Sequence, residues 1–166
     1  MRHLVFVSII LILFSACVPV TPVQPVSRIP FPLEEYQALS SSGTATVKGQ
    51  AFLKARGGDV KFAAGSVVLL NPVTSYSLEW YEKSYLTDRP MGPADSRIWN
   101  FIRKQTANEN GRFVFNNVPP GEYFVTTLIT WEEPAGFQGE LRLHGGVITK
   151  RIAVHDGDNI DIIVTR

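Results

Sequence analysis

From residue 44 onward, apolar and polar positions alternate with a period of two along most of the chain. Ala45, Val47, Gly49, Ala51 and Leu53 alternate with Thr46, Lys48 and Gln50, the pattern of a strand that buries one face. Val60-Lys61-Phe62 and Ser66-Val67-Val68-Leu69-Leu70 read as further strands. They are separated by turns at Arg56-Gly57-Gly58-Asp59 and Ala64-Gly65, and the second is ended by Asn71-Pro72. The most informative stretch is 108–125. Asn110-Gly111 signals a turn, and Arg112-Phe113-Val114-Phe115 alternates as a half-buried strand does. Asn116-Asn117-Val118-Pro119-Pro120-Gly121 then breaks the ladder, because proline donates no backbone hydrogen bond and glycine allows positive φ. A strand resumes at Glu122 and can run to Trp131, with Tyr123, Val125, Thr127, Ile129 and Trp131 on one face. Residues 98–107 read as a strand with Trp99, Phe101 and Arg103 on one side. Glu133-Pro134-Ala135-Gly136 precedes a loop or short strand over 137–144, and 146–154 with 159–164 reads as a closing hairpin about His155-Asp156-Gly157-Asp158. Seven or eight short strands with turn signals between them predict an all-β, antiparallel β-sandwich over 44–166.

Two regions depart from this rhythm. Residues 74–97 form an insertion in which 75–85 is predicted helical, with Thr74 or Ser75 as the N-cap and Glu79 and Lys83 as an i,i+4 pair. A loop rich in proline, glycine and aspartate follows, and insertions of this length are disproportionately functional. Upstream, prolines at 19, 22, 25, 30 and 32 make 17–43 a proline-rich tether that favours extended polyproline II. It ends in a short helix over 32–39, with acids in the first turn.

The N-terminus changes the picture more than composition does. Arg2 and His3 precede an apolar run over 4–14 and the small pair Ser15-Ala16. The run is shorter than the ~20 residues that a bilayer span needs, and its layout is that of a secretory signal peptide over 1–16. Removing it takes away Arg2 and leaves 15 basic and 15 acidic residues. That neutral balance, with no basic block, argues against nucleic acid as a partner. Cys17 is the only cysteine, so an exported domain must be held by its core and not by disulfides.

Leu13-Phe14-Ser15-Ala16-Cys17 resembles the lipobox of bacterial lipoproteins. The resemblance implies cleavage before Cys17, a diacylglycerol on its sulfur and a membrane partner reached through the lipid. Two or more acyl chains suffice for stable anchoring, at ~0.8 kcal/mol per buried CH₂. Val18 in place of Asp after the cysteine implies, by resemblance to the sorting rule of enteric bacteria, the outer membrane, facing the periplasm. Separately, three pieces resemble the carboxypeptidase regulatory-like domain, a prealbumin-like (transthyretin-like) Greek-key sandwich. They are Val47-Lys48-Gly49-Gln50-Ala51, Ala64-Gly65-Ser66-Val67-Val68-Leu69, and the run from Asn110 through Val118-Pro119-Pro120-Gly121-Glu122-Tyr123. This second resemblance implies a non-catalytic accessory or binding module, with no active-site residues to carry over.

Candidate chemistry is sparse. His144 and His155 are the histidines left after the leader, and neither belongs to an H-E-x-x-H pattern, so no metal is assigned. Asp156, Asp158 and Asp161 lack the spacing of a calcium loop and read as turn chemistry. Glu34-Glu35 and Glu132-Glu133 are adjacent pairs; on a strand neighbours face opposite ways, which does not suit an acid/base dyad. No phosphate-cradling or dinucleotide motif is present, and no cofactor is assigned. The suggestive group is aromatic: Tyr76, Trp80, Tyr81, Tyr85 and Trp99 in or beside the insertion, with Trp131 expected to meet them from a neighbouring strand. Such rings suit recognition of a glycan or protein in the envelope. The reading preferred over recognition is that they form a small second core pinning the insertion onto the sheet, because an insertion needs buried anchors of its own to be ordered. Two function classes follow: a membrane-anchored, non-enzymatic binding, accessory or structural module, or a small envelope hydrolase with its site at the aromatic insertion.

Overall fold

The computed structural model describes residues 23–136 and 139–166. Among these residues the strands are β1 (Ala45–Lys54), β2 (Val60–Phe62), β3 (Val67–Pro72), β4 (Arg103–Thr106), β5 (Arg112–Val118), β6 (Gly121–Ala135), β7 (Glu140–Val154) and β8 (Asn159–Val164). The helical pieces are α1 (Leu33–Gln37), α2 (Ser75–Trp80), a π-helical turn (Tyr81–Tyr85) and a 3₁₀ turn (Ser96–Asn100). The predicted leader and Cys17 lie outside the described residues, as do Phe137 and Gln138.

The strands form two sheets of four, and the all-β sandwich expected from the alternation is the fold. In the first sheet β1 is central, and its burial alternates residue by residue as its sequence does. On one side it pairs with β8, and on the other with β5 and then β2. The handover from β5 to β2 falls at Ala51, whose N–H donates to the Gly111 carbonyl (2.9 Å) and whose carbonyl accepts from Ala63 N–H (3.0 Å). Gly111 sits there at φ +70°, and a Cβ would collide with the Ala51 carbonyl, so glycine is required. The second sheet runs β4-β3-β6-β7. Val47, Leu53, Phe113, Phe115 and Val164 from the first sheet interleave with Val68, Leu70, Val125, Ile129 and Ile148 from the second to form the main core.

Pro119 and Pro120 form the corner between the sheets: β5 ends in the first sheet and β6 begins in the second. The Tyr123 hydroxyl donates back across the corner to the Pro119 carbonyl at 2.9 Å, and the ring is almost fully buried. A buried phenol needs such a partner, so this bond fixes the angle at which β6 leaves the corner.

Several expectations are corrected. Residues 146–154 and 159–164 are not a hairpin. β7 pairs with β6 in the second sheet, whereas β8 crosses to the first and lies parallel to β1, making one parallel pair in an otherwise antiparallel sandwich. The expected break at Glu133-Pro134 is also absent, because β6 and β7 stay paired out to Ala135 and Glu140 in one long arm. Pro134 is tolerated there because the arm has no third strand on its other edge. The strand expected from residue 98 begins at Arg103, since 96–100 is a 3₁₀ turn in which Asp95 accepts from Arg97 N–H at 3.0 Å.

The described part of the predicted tether is not a free spacer. Val26 pairs with the 90–92 loop, donating to the Pro90 carbonyl at 2.8 Å and accepting from Gly92 N–H at 2.9 Å. Further along, Ile29, Phe31, Tyr36 and Leu39 pack with Tyr76, Ile98, Phe101 and Ile102 into a second core. Proline in this strap excludes helix and central strand but not packing, and Phe31 stacks on Tyr36 at a centroid distance of 4.8 Å. The expected helix forms as α1, and Glu35 binds the start of α2, accepting from Ser75 N–H (2.8 Å) and Ser75 Oγ (2.6 Å).

Candidate functional site

The insertion lies on the outer face of the second sheet, where the residues that point away from the main core would otherwise meet water. Thr74 caps α2 through a reciprocal pair of bonds with Ser77: its hydroxyl accepts from Ser77 N–H, and its N–H donates to Ser77 Oγ at 2.9 Å. Helix and π turn then place Tyr81 on Phe124 of β6, stacked at 4.8 Å, with Tyr85 stacked on Tyr81 at 5.6 Å. Glu79 is almost fully buried, yet its carboxylate accepts from Ile29 N–H (2.9 Å) and the Lys83 ammonium (3.1 Å). Burial opposes its charge, but these two bonds and the positive charges of Lys83 and Arg28 outweigh burial and hold its pKa below the ordinary glutamate value.

Between this insertion and the sheet is a groove of about 140 Å³. Leu69, Thr126, Ile98 and Ile102 line its apolar interior, with Trp80 and Trp99 beside them. Arg28 of the strap also lines it, and its guanidinium lies 4.8 Å over the Tyr76 ring. The Tyr76 hydroxyl accepts from Asp95 N–H at 2.8 Å, which ties α2 to the 3₁₀ turn. Asp95 is gripped in turn by the Arg97 guanidinium through bonds of 2.9 and 2.8 Å, which lower its pKa to about 2. Trp99 is about half exposed, and one of its faces is covered by the Lys104 ammonium at 4.4 Å. Asn71 also borders the groove, but its Oδ1 is shielded from solvent and has no hydrogen-bond partner, so that atom is not offered to a ligand.

Of the aromatic residues expected to act together, the structure gathers Tyr76, Trp80 and Trp99 around this groove and not Tyr81, Tyr85 or Trp131. Tyr81 is spent on Phe124 and anchors the insertion, so that ring serves the second packing layer. Trp131 lies at the root of the β6–β7 arm, where its Nε1–H donates to Glu133 at 2.7 Å and its ring stacks on His144 at 6.0 Å. It does not meet the insertion, because it shares the inward face of β6 with Tyr123, Val125 and Ile129 and packs against the main core, whereas the insertion covers the opposite face at Phe124. Arg28, Asn71 and Thr126 were missed in sequence. Arg28 sat in an apparent linker, and Asn71 and Thr126 read as ordinary strand polar positions. A faint signal existed in Asn71, an amide ending a buried strand.

The remaining candidates are occupied locally. Asp156 accepts from Thr44 N–H (3.0 Å) and Thr44 Oγ1 (2.7 Å), and Asp158 accepts from His155 N–H (2.8 Å), so these acids are turn and splice residues. His144 and His155 are separated by eleven residues along β7, roughly 35 Å of extended chain. No group of three or more metal-ligating side chains comes together among the described residues. No helix among them is long and apolar enough to cross a membrane.

The fold and groove together define an all-β sandwich module with an aromatic-lined recess on its outer face. No family model matches the chain, and no curated protein does. Among solved structures it is similar to a crystal structure from Pseudomonas aeruginosa described as a "putative carbohydrate binding protein". The two are 27% identical, the match covers 84% of this chain and 99% of the other, and the TM-score is 0.72. That description is compatible with a non-catalytic binding module.

Proposed function

We propose that the protein is a non-enzymatic, glycan-binding lipoprotein of the bacterial cell envelope, held at the outer membrane through lipidated Cys17 and built on a carboxypeptidase regulatory-like sandwich. The observation that carries the glycan reading is the groove between Trp80 and Trp99, with the Arg28 guanidinium at its wall. A sugar ring offers an apolar C–H face for an indole and hydroxyl oxygens that accept from a guanidinium, and the groove has both kinds of partner in its lining. Its volume is close to the ~150 Å³ cavity that takes a six-membered ring. The binding description of the similar Pseudomonas aeruginosa protein supports the same reading.

The test is calorimetric titration of the purified domain against a panel of envelope oligosaccharides. Trp99→Ala and Trp80→Ala are expected to weaken binding by about tenfold or more, with the far-UV spectrum and urea midpoint of Trp99→Ala unchanged because that ring is half exposed. Binding untouched by both substitutions overturns the groove as the site. For the anchor, Cys17→Ser is expected to leave the protein unacylated and released from membrane fractions. Membrane retention of that variant, together with an unchanged mass for the wild type, sinks the lipid assignment.

A further inference from the structure

Trp80 lines a second depression as well as the groove. This one, of about 610 Å³, is lined by Trp80, Tyr85 and Arg89 of the insertion and by Gly145, Gly146 and Arg166. A third depression of about 210 Å³ begins where it ends, sharing Gly145 and Arg166 and running on to Trp131 and Arg56. The continuity depends on the two glycines of β7. At Gly145 (φ +102°) a Cβ would collide with the Ile129 carbonyl, and at Gly146 it would come within 3.0 Å of the Arg166 guanidinium. The two glycines themselves put no side chain between the depressions, and the Arg166 side chain lies there instead, across the strand, donating to the Gly145 carbonyl at 3.2 Å.

The charge along this path is one-sided in a protein that is nearly neutral overall. Arg89, Arg166, Arg56 and Lys54 line it, and among the described residues none of the four forms a salt bridge. Its acids are Asp88 and Glu133, and both Glu133 oxygens are engaged, one by Trp131 Nε1–H at 2.7 Å and the other facing His144 at 3.8 Å. Arginine that is left unpaired beside an indole suits a planar carboxylate or sulfate carried on a ring that stacks. We infer that the protein binds an acidic oligosaccharide in an extended site, which runs from Trp80 and Tyr85 across the Gly145-Gly146 edge of β7 to Trp131, with Arg166 reading the acid group at its centre. This rests on the glycan reading above and deepens it to a ligand class and a length.

The experiment compares a uronate oligosaccharide with the same oligosaccharide after its carboxyl groups have been reduced to alcohols, using the whole mature protein. The acidic form is expected to bind about tenfold tighter at low salt, and the advantage is expected to shrink at 0.5 M salt. Arg166→Gln should bring the affinity for the acidic form down to that for the neutral form, and Trp131→Ala should weaken long oligomers more than a disaccharide. Equal affinity for the two forms, or a preference that survives both Arg166→Gln and Arg89→Gln, overturns the inference while leaving the Trp80–Trp99 groove intact as a neutral-sugar site. Absence of binding to either form by the folded protein removes both readings together. Uronate monomer bound as tightly as the oligomer would overturn the extended site.

Discussion

At the scale of single residues, the structure concentrates its polar chemistry in a few buried or half-buried atoms, each holding two parts of the chain together. Tyr123 is one. Its hydroxyl bond to Pro119 spans the corner between the sheets, and Tyr123→Phe keeps the ring and removes only that bond. The expected cost is about 1 kcal/mol, read as a lower urea midpoint with an unchanged slope; an unchanged midpoint would mean the prolines alone hold the corner. Glu79 is another, and its effect depends on pH. Its folded pKa is lowered, so the stability it contributes is fully present above the unfolded glutamate pKa of ~4.3 and is lost as pH falls through the lower folded value. Acidification through that window should therefore weaken the hold of α2 on Ile29 of the strap, and Glu79→Gln should flatten this part of the pH dependence of the urea midpoint. A variant that follows the wild-type curve throughout would show that the carboxylate charge does not matter there.

At the scale of elements, caps and periodicities decide what forms, and they also explain what could be read from the sequence. Thr74 is the N-cap of α2, and its reciprocal bonds with Ser77 satisfy backbone donors that the buried helix start cannot give to water. Thr74→Ala should cost about 1 kcal/mol and raise amide exchange over the helix ahead of the sheets; uniform exchange across the domain would contradict a local role. This helix, with its cap and its Glu79–Lys83 pair, was legible because every signal was local. So were the Asn110-Gly111 turn and β1, since one-face burial writes itself into a period of two. The 96–100 turn was not, for a physical reason. Ile98 and Phe101 face inward three residues apart, as a 3₁₀ turn requires, while Trp99, Phe101 and Arg103 happen to share the spacing of a strand. The partner of β8 was also out of reach. His155-Asp156-Gly157-Asp158 has hairpin-turn chemistry, and only the long-range bond from Thr44 to Asp156 shows that the chain instead crosses to the other sheet. The groove was legible in its rings, whereas Arg28, Asn71 and the removal of Trp131 depended on which segments pack together.

At the scale of the whole molecule, there are two cores with different owners. The main core draws on no residue before Ala45, so the sandwich can close without the strap. The second core is shared: Tyr36, Phe31 and Ile29 from the strap, and Tyr76, Ile98 and Phe101 from the insertion region, bury one another. Each large apolar side chain buried this way contributes about 1.5–3 kcal/mol, against a backbone ordering cost of about 1–2 kcal/mol for every strap residue. That balance leaves the strap the less secure partner, and it also supplies Arg28 to the groove. A chain beginning at residue 44 should consequently keep a cooperative β-type unfolding transition while losing amide protection over 75–100 and losing glycan affinity. Ile29→Ala with Phe31→Ala in the full chain should do the same more mildly, without altering length. If protection over 75–100 survives the truncation, the insertion is held by Tyr81 on Phe124 and the sheet alone. If it is lost together with binding, the segment that leads in from Cys17 is a wall of the binding site. Tension on the strap, or acid at Glu79, would then reach the ligand through one shared core.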